Sequence, residues 1–155
     1  MVARIQNLYL FLAGLLATGS IFVPFWSFSA GKIFFITDFA SFSTPKILYV
    51  TESCFAAGIF APLTAMLSLA AIFLFKNRVL QTRLIQLSIL LFLGDLFSGL
   101  TAAHFLNHYF QSIGTTATHR PEAGFFMLLP EPVLLILALK GVKKDDKIAN
   151  AYKRL

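Results

Sequence analysis

The sequence predicts an all-α membrane protein, a bundle of four transmembrane helices in one domain, on three observations. Hydrophobic residues make up 57% of the 155-residue chain and charged residues only 13%, where a soluble domain carries about 25% charged residues. Four apolar stretches approach the length of about 20 residues that crosses the hydrocarbon core. The Lys and Arg residues are distributed unevenly between the segments that connect those stretches.

The four stretches have recognisable ends. The first passes through a small-residue segment, Ala17–Ser20, that resembles a signal-peptide cleavage site, but its apolar run continues beyond it, so we expect a retained span. The second stops abruptly at Lys76, and the third begins after Arg83. The predicted spans are residues 8–28, 53–75, 84–105 and 123–139, followed by a basic tail at residues 140–155 of the single membrane domain 1–155.

The orientation follows from the Lys and Arg residues of the short loops. Ten lie on one side of the predicted membrane, at Arg4, in the Lys76–Arg83 loop and in the tail; three lie on the other side. Both termini are therefore predicted to be cytoplasmic. Topology also accounts for the net charge of +6, so no nucleic-acid partner is expected.

The two exoplasmic loops differ in character. In the first, about residues 29–52, Lys32–Asp38 and Lys46–Glu52 match each other in residue type at every position. A short β-hairpin between them and an aromatic segment lying in the headgroup layer remain alternatives. The second loop, Leu106–Glu122, is polar and is predicted to be irregular.

Two carboxylic acids fall inside the predicted spans, where a charge costs about 2.5–3.5 kcal/mol on insertion scales. At a rise of 1.5 Å per residue, Asp95 and Glu131 lie roughly 13–17 Å from the cytoplasmic boundary, so they could meet at one depth. They form either a proton-binding or cation-binding pair, or an interhelical hydrogen bond or partner contact. Pro130 and Pro132 flank Glu131 and predict a kinked or unwound helix there, as in transporter sites.

Two histidines, His104 and His108, lie four residues apart on one face of the third span. That spacing suits a metal or haem, with His119 as a third nitrogen donor, although histidines near an interface also face headgroups. The lone Cys54 excludes an internal disulfide. Because no Walker loop, nucleophile elbow, zinc-protease pair or Rossmann glycine pattern is present, we expect no enzyme activity and no cofactor.

Motifs at the two ends carry a family resemblance. Arg4-Ile-Gln-Asn-Leu-Tyr-Leu10 and the tail Lys143–Arg154 resemble the opening and closing motifs of small four-span inner-membrane proteins of Bacteroidota, known only as a domain of unknown function. The resemblance implies the topology and a bacterial inner membrane, and no activity. It suggests either a charged topology anchor or a site that docks a partner or lipid at the cytoplasmic face, formed by Arg4, Gln6, Lys143, Lys144, Asp145, Asp146 and Lys147.

These observations favour two functional hypotheses and a weaker third. The first is an accessory or structural subunit of a larger inner-membrane complex, with membrane lipids and other integral membrane subunits as partners. The alternative is a small proton-coupled or cation-coupled carrier that uses Asp95 and Glu131. The third is a metal or haem protein that uses His104 and His108.

Overall fold

The computed structural model describes residues 2–39 and 47–152. This part of the chain contains three segments that are long and apolar enough to cross a membrane, and one shorter apolar helix, Ile5–Ser20. The mainly helical prediction is therefore confirmed, although a small sheet accompanies the helices. The elements are α1 (Val2–Ser20), β1 (Trp26–Ala30), β2 (Lys32–Ile36), α2 (Leu48–Phe73), α3 (Arg78–Ser112), β3 (Thr118–Pro121), α4 (Ala123–Leu128) and α5 (Glu131–Tyr152).

The first predicted span is wrong at its C-terminal end, because the helix α1 stops at Ser20 and does not continue to Phe28. The amides of Phe22 and Val23 donate to the carbonyls of Gly19 and Ser20, at 3.2 and 3.3 Å, and close the last turn. The chain then enters β1. A buried strand and a helix can share the same apolar composition, so hydrophobicity alone did not separate them.

The sheet corrects both loop predictions. β1 pairs antiparallel with β2 around a turn at Gly31, whose φ of +75° suits glycine. Of the two alternatives for the first loop, a hairpin between Lys32–Asp38 and Lys46–Glu52 is excluded, because α2 begins at Leu48; residues 40–46 lie outside the described part. In the second loop, α3 continues to Ser112, and β3 adds to the other edge of β1 in the order β2-β1-β3.

The remaining helices are longer than predicted. α2 starts at Leu48 and α3 extends beyond both ends of the predicted third span. The fourth span is divided at Leu129 and Pro130 into α4 and α5, which agrees with the break expected from its prolines. α5 continues to Tyr152, so the basic tail forms the C-terminal part of α5.

Polar contacts fix α4 against the sheet. The Glu122 carboxylate accepts hydrogen bonds from Ser27 Oγ at 2.7 Å and from Arg120 Nε at 2.9 Å, and the Ser27 bond is the main cause of its lowered pKa. The Gly124 amide donates to the Pro24 carbonyl at 2.9 Å. A Cβ at Gly124 would lie 2.8 Å from that oxygen, so the close approach requires glycine.

Two clusters of buried apolar side chains fill the interior. One lies under the sheet and includes Phe28, Phe92 and Leu128. The other lies towards the chain termini and includes Leu10 and Leu135. Along the chain from α4 to α5, Glu131 falls between Leu128 of the first cluster and Leu135 of the second. The fold therefore places this residue where the two apolar cores adjoin.

Candidate functional site

The two carboxylic acids singled out in the sequence lie inside the bundle. Asp95 is 6% exposed and lies on the buried face of α3 with Gly99 and Ala102. Glu131 is the first residue of α5 and is 1% exposed. The two side chains interact electrostatically, so α3 and α5 bring them into one region of the interior.

Neither carboxylate oxygen of Glu131 has a hydrogen-bond partner among residues 2–39 and 47–152, and both oxygens are fully buried. An ionised carboxylate in that position would be an unpaired charge in an apolar core, which is among the most costly arrangements in a protein. Buried polar groups without partners are rare in folded proteins, and a functional role is one of their recognised explanations. The geometry of Glu131 therefore calls for something to neutralise it.

The prolines beside Glu131 interrupt the hydrogen bonding of the helix around it. Pro130 and Pro132 have no amide hydrogen, so they donate nothing to the carbonyls of Phe126 and Leu128, the acceptors four residues earlier in a continuous helix. Regular hydrogen bonding resumes where the Leu134 amide donates to the Pro130 carbonyl at 3.1 Å. Two hydrogen bonds of a regular helix are therefore absent beside the Glu131 carboxyl group.

Asp95 lines a small cavity beneath the sheet, with a volume of about 10 Å³, which is room for about one water molecule. Asp38, Cys54 and Ser20 also line this cavity, and Asp38 and Asp95 interact electrostatically. The other lining residues are Phe25, Ile36, Thr37, Ala57, Gly99, Ala102, Gly124 and Leu128. A third carboxyl group thus joins the pair identified in the sequence.

Asp38 reaches this position from the turn that follows β2. The Phe39 amide donates to the Cys54 carbonyl at 3.3 Å, and a Cβ at Gly58 would lie 2.8 Å from the Phe39 ring. These contacts hold the turn against α2, with Phe39 in the left-handed region at a φ of 63°. Burial raises the pKa of Asp38 from 3.8 to about 6. The sequence alone offered no signal for this residue beyond an acid at the end of an apolar segment.

The histidines do not converge in the described part of the chain. His104 and His108 are exposed on α3, and His119 on β3 lies against the rings of Trp26 and Phe28, with centroids 6.0 and 5.4 Å away. Residues 2–39 and 47–152 contain no group of three or more His, Cys, Asp or Glu side chains placed to hold a metal ion. Asp38, Asp95 and Glu131 are therefore not placed to hold a metal ion together.

Two of the predicted docking residues, Gln6 and Asp145, meet at the end of the bundle that holds both termini. Gln6 is buried, and its Nε2 donates to Asp145 Oδ2 at 2.9 Å. Arg78 Nη1 donates to the Asp145 carbonyl. These bonds join the ends of α1, α3 and α5. Lys143, Lys144 and Lys147 are exposed, Asp146 is partly buried, and the Arg4 side chain lies outside the described part.

Comparison with known protein families gives a match over almost the whole chain. The chain matches, over residues 2–155, a family described as a domain of unknown function (DUF4293). No curated protein and no solved structure matches it.

Proposed function

The chain belongs to the DUF4293 family, whose function is unknown, and we propose that it is a non-enzymatic inner-membrane protein that carries protons on Asp95 and Glu131. In this role it is a small proton carrier with four spans and both termini in the cytoplasm. The membrane arrangement and the proton site rest on different observations.

The membrane arrangement is supported by the lengths and charges of the helices. Three helical segments are long enough to cross a bilayer, and the apolar part of α1, Ile5–Ser20, covers about 24 Å at 1.5 Å per residue. That is shorter than the hydrocarbon core of about 30 Å. Phe25 and Phe28, which are buried in the core after α1, would complete the crossing. The basic residues concentrate at the end that holds both termini, which favours a cytoplasmic position for that end.

The proton site is carried by one observation, the buried Glu131 carboxyl group whose two oxygens have no hydrogen-bond partner in the described residues. Carboxyl groups inside membrane proteins are costly and mark proton relays and ion pathways. A proton is the smallest species that can neutralise such a group. The described residues offer no three-ligand metal site, and the cavity lined by Asp38 and Asp95 has room for about one water, so a proton suits this interior better than a metal ion.

The three carboxyl groups suggest a route for the proton. Asp38 interacts electrostatically with Asp95, and Asp95 with Glu131, so the protonation of each group alters the proton affinity of the next. The route would run from the turn after β2, on the exoplasmic side, to the centre of the bundle. Release towards the cytoplasm would use the helix break at Pro130, because prolines are the usual points at which helices bend.

A proton-flux assay tests this function. Purified protein is reconstituted in liposomes containing a pH-sensitive dye, and an inward proton gradient is imposed. The wild type should acidify the lumen faster than empty liposomes, while Glu131→Gln and Asp95→Asn should not. Glu52→Gln, which removes an exposed carboxylate on α2, is the matched control and should behave as the wild type. The absence of wild-type flux, or full flux in Glu131→Gln, would contradict the proposal.

A second candidate is an accessory subunit of a larger membrane complex. The tight interior favours it, because the cavity beside Asp95 has a volume of only about 10 Å³ and offers no room for a solute larger than water. In this case, Asp95 and Glu131 would respond to a partner subunit rather than move protons. Extraction from native membranes in mild detergent, followed by mass spectrometry, should then recover a stoichiometric membrane partner. A lone monomer would exclude this role.

A further inference from the structure

A basic cleft lies between the start of α3 and the end of α5, at the end of the bundle that holds both termini. Its volume is about 380 Å³. Four of its side chains are basic and one is acidic, so phosphate-bearing molecules are the ligands that its charge favours. The lining residues are Arg78, Val79, Thr82, Arg83, Gln86, Lys143, Asp146 and Lys147.

The walls of this basic cleft are held in place by contacts within the protein. Arg78 is half-buried and donates to the Asp145 carbonyl, which ties α3 to α5. One turn further along α3, buried Gln81 donates through Nε2 to the Ala71 carbonyl at 2.9 Å. These bonds hold the start of α3 against α2 and α5. The basic side chains therefore project from a rigid platform.

The surroundings of the basic cleft distinguish a lipid from a free anion. Val79, in the cleft wall, is 59% exposed, and Leu90, three turns further along α3, is 63% exposed. Exposed leucines at 87 and 93 continue the same apolar surface. The cleft thus lies where a charged helix end meets a long apolar helix surface. A phospholipid matches this arrangement, because its charged headgroup is followed by apolar acyl chains.

We infer that the basic cleft binds the phosphate headgroup of an anionic phospholipid whose acyl chains lie along α3. Arginine guanidinium groups and lysine ammonium groups donate charge-assisted hydrogen bonds to phosphate oxygens, and Thr82 and Gln86 offer neutral donors. This inference rests on the membrane insertion proposed above, and not on proton binding. Its failure would therefore leave the proton site unaffected.

Native mass spectrometry of the delipidated protein in detergent tests the inference, with phosphatidylglycerol as the probe and phosphatidylcholine as the neutral comparison. One phosphatidylglycerol should bind in preference to phosphatidylcholine. Because each basic residue near a headgroup contributes about a fivefold gain in affinity, Arg83→Gln and Lys147→Gln should each weaken binding about fivefold, and the double variant about 25-fold. Lys76→Gln with Lys140→Gln, an equal loss of charge outside the cleft lining, should change binding less than about twofold.

Three results would overturn the inference. The first is equal binding of phosphatidylglycerol and phosphatidylcholine. The second is an equal loss of phosphatidylglycerol affinity in the double cleft variant and in the double control variant. The third is displacement of phosphatidylglycerol by equimolar inorganic phosphate. The last of these would indicate a site for free phosphate. Arg83→Lys keeps the charge and should retain most of the binding, which separates a loss of charge from a loss of folding. Proton flux in Arg83→Gln should equal that of the wild type.

Discussion

Replacing Glu131 by leucine should stabilise the folded bundle, because the native carboxyl group is 1% exposed and its oxygens lack partners in the described residues. Leaving a buried polar group unpaired costs about 1–3 kcal/mol, and leucine fills a similar volume without a polar atom. The substitution also removes the electrostatic interaction with Asp95. The free energy of unfolding should rise by about 1–3 kcal/mol. Denaturant titration in mixed micelles, followed by circular dichroism, measures it.

A carboxylate that has a partner provides the control. Asp145 accepts a hydrogen bond from Gln6, so Asp145→Ala should lower the free energy of unfolding by about 0.5–1.5 kcal/mol. A fall of more than about 1 kcal/mol in Glu131→Leu would show instead that Glu131 makes a stabilising interhelical hydrogen bond. The argument for proton binding would then lose its basis.

Three further predictions concern packing, pH and topology. Gly99→Ala should destabilise by about 1–3 kcal/mol, because its Cβ would lie 2.8 Å from the Phe25 ring, whereas Gly19→Ala meets its nearest atom at 3.5 Å and should be nearly neutral in thermal melts. Burial raises the pKa of Asp38 from 3.8 to about 6, so the free energy of unfolding should fall as pH rises from about 4 to about 6; Asp38→Asn should make that slope shallower in titrations. In a chain whose Cys54 has been replaced, Lys144→Cys should react with an impermeant maleimide only in permeabilised spheroplasts. Labelling of intact spheroplasts would refute the cytoplasmic position of this residue.

The presence and order of the long apolar helices could be predicted because apolar length is a local property of the sequence. Their ends could not, since helix ends depend on partners elsewhere in the chain. Residues 26–28 continue the apolar run of α1, yet they form a strand because β2 and β3 pair with them. Likewise, Leu48 begins a helix although Lys46–Glu52 has the composition of a strand.

The candidate site shows the same division between local and distant information. Asp95 and Glu131 were identified because a charge in an apolar stretch is conspicuous and a fixed rise per residue gives its depth. Asp38 was missed because it lies in a loop, and only the hairpin of β1 and β2 and the contact of Phe39 with α2 bring it to the cavity. The basic cleft needs two helix ends that are distant in sequence, so no single motif could reveal it.

Infrared difference spectroscopy across a pH titration tests the central claim most directly, because it detects the carboxyl group as it gains and loses a proton. The wild type should show a protonated-carboxyl band that disappears as the pH rises, and Glu131→Gln should lack the part of that band contributed by Glu131. Glu52→Gln should leave the interior band unchanged. A spectrum in which Glu131→Gln is indistinguishable from the wild type over the whole titration would contradict the account.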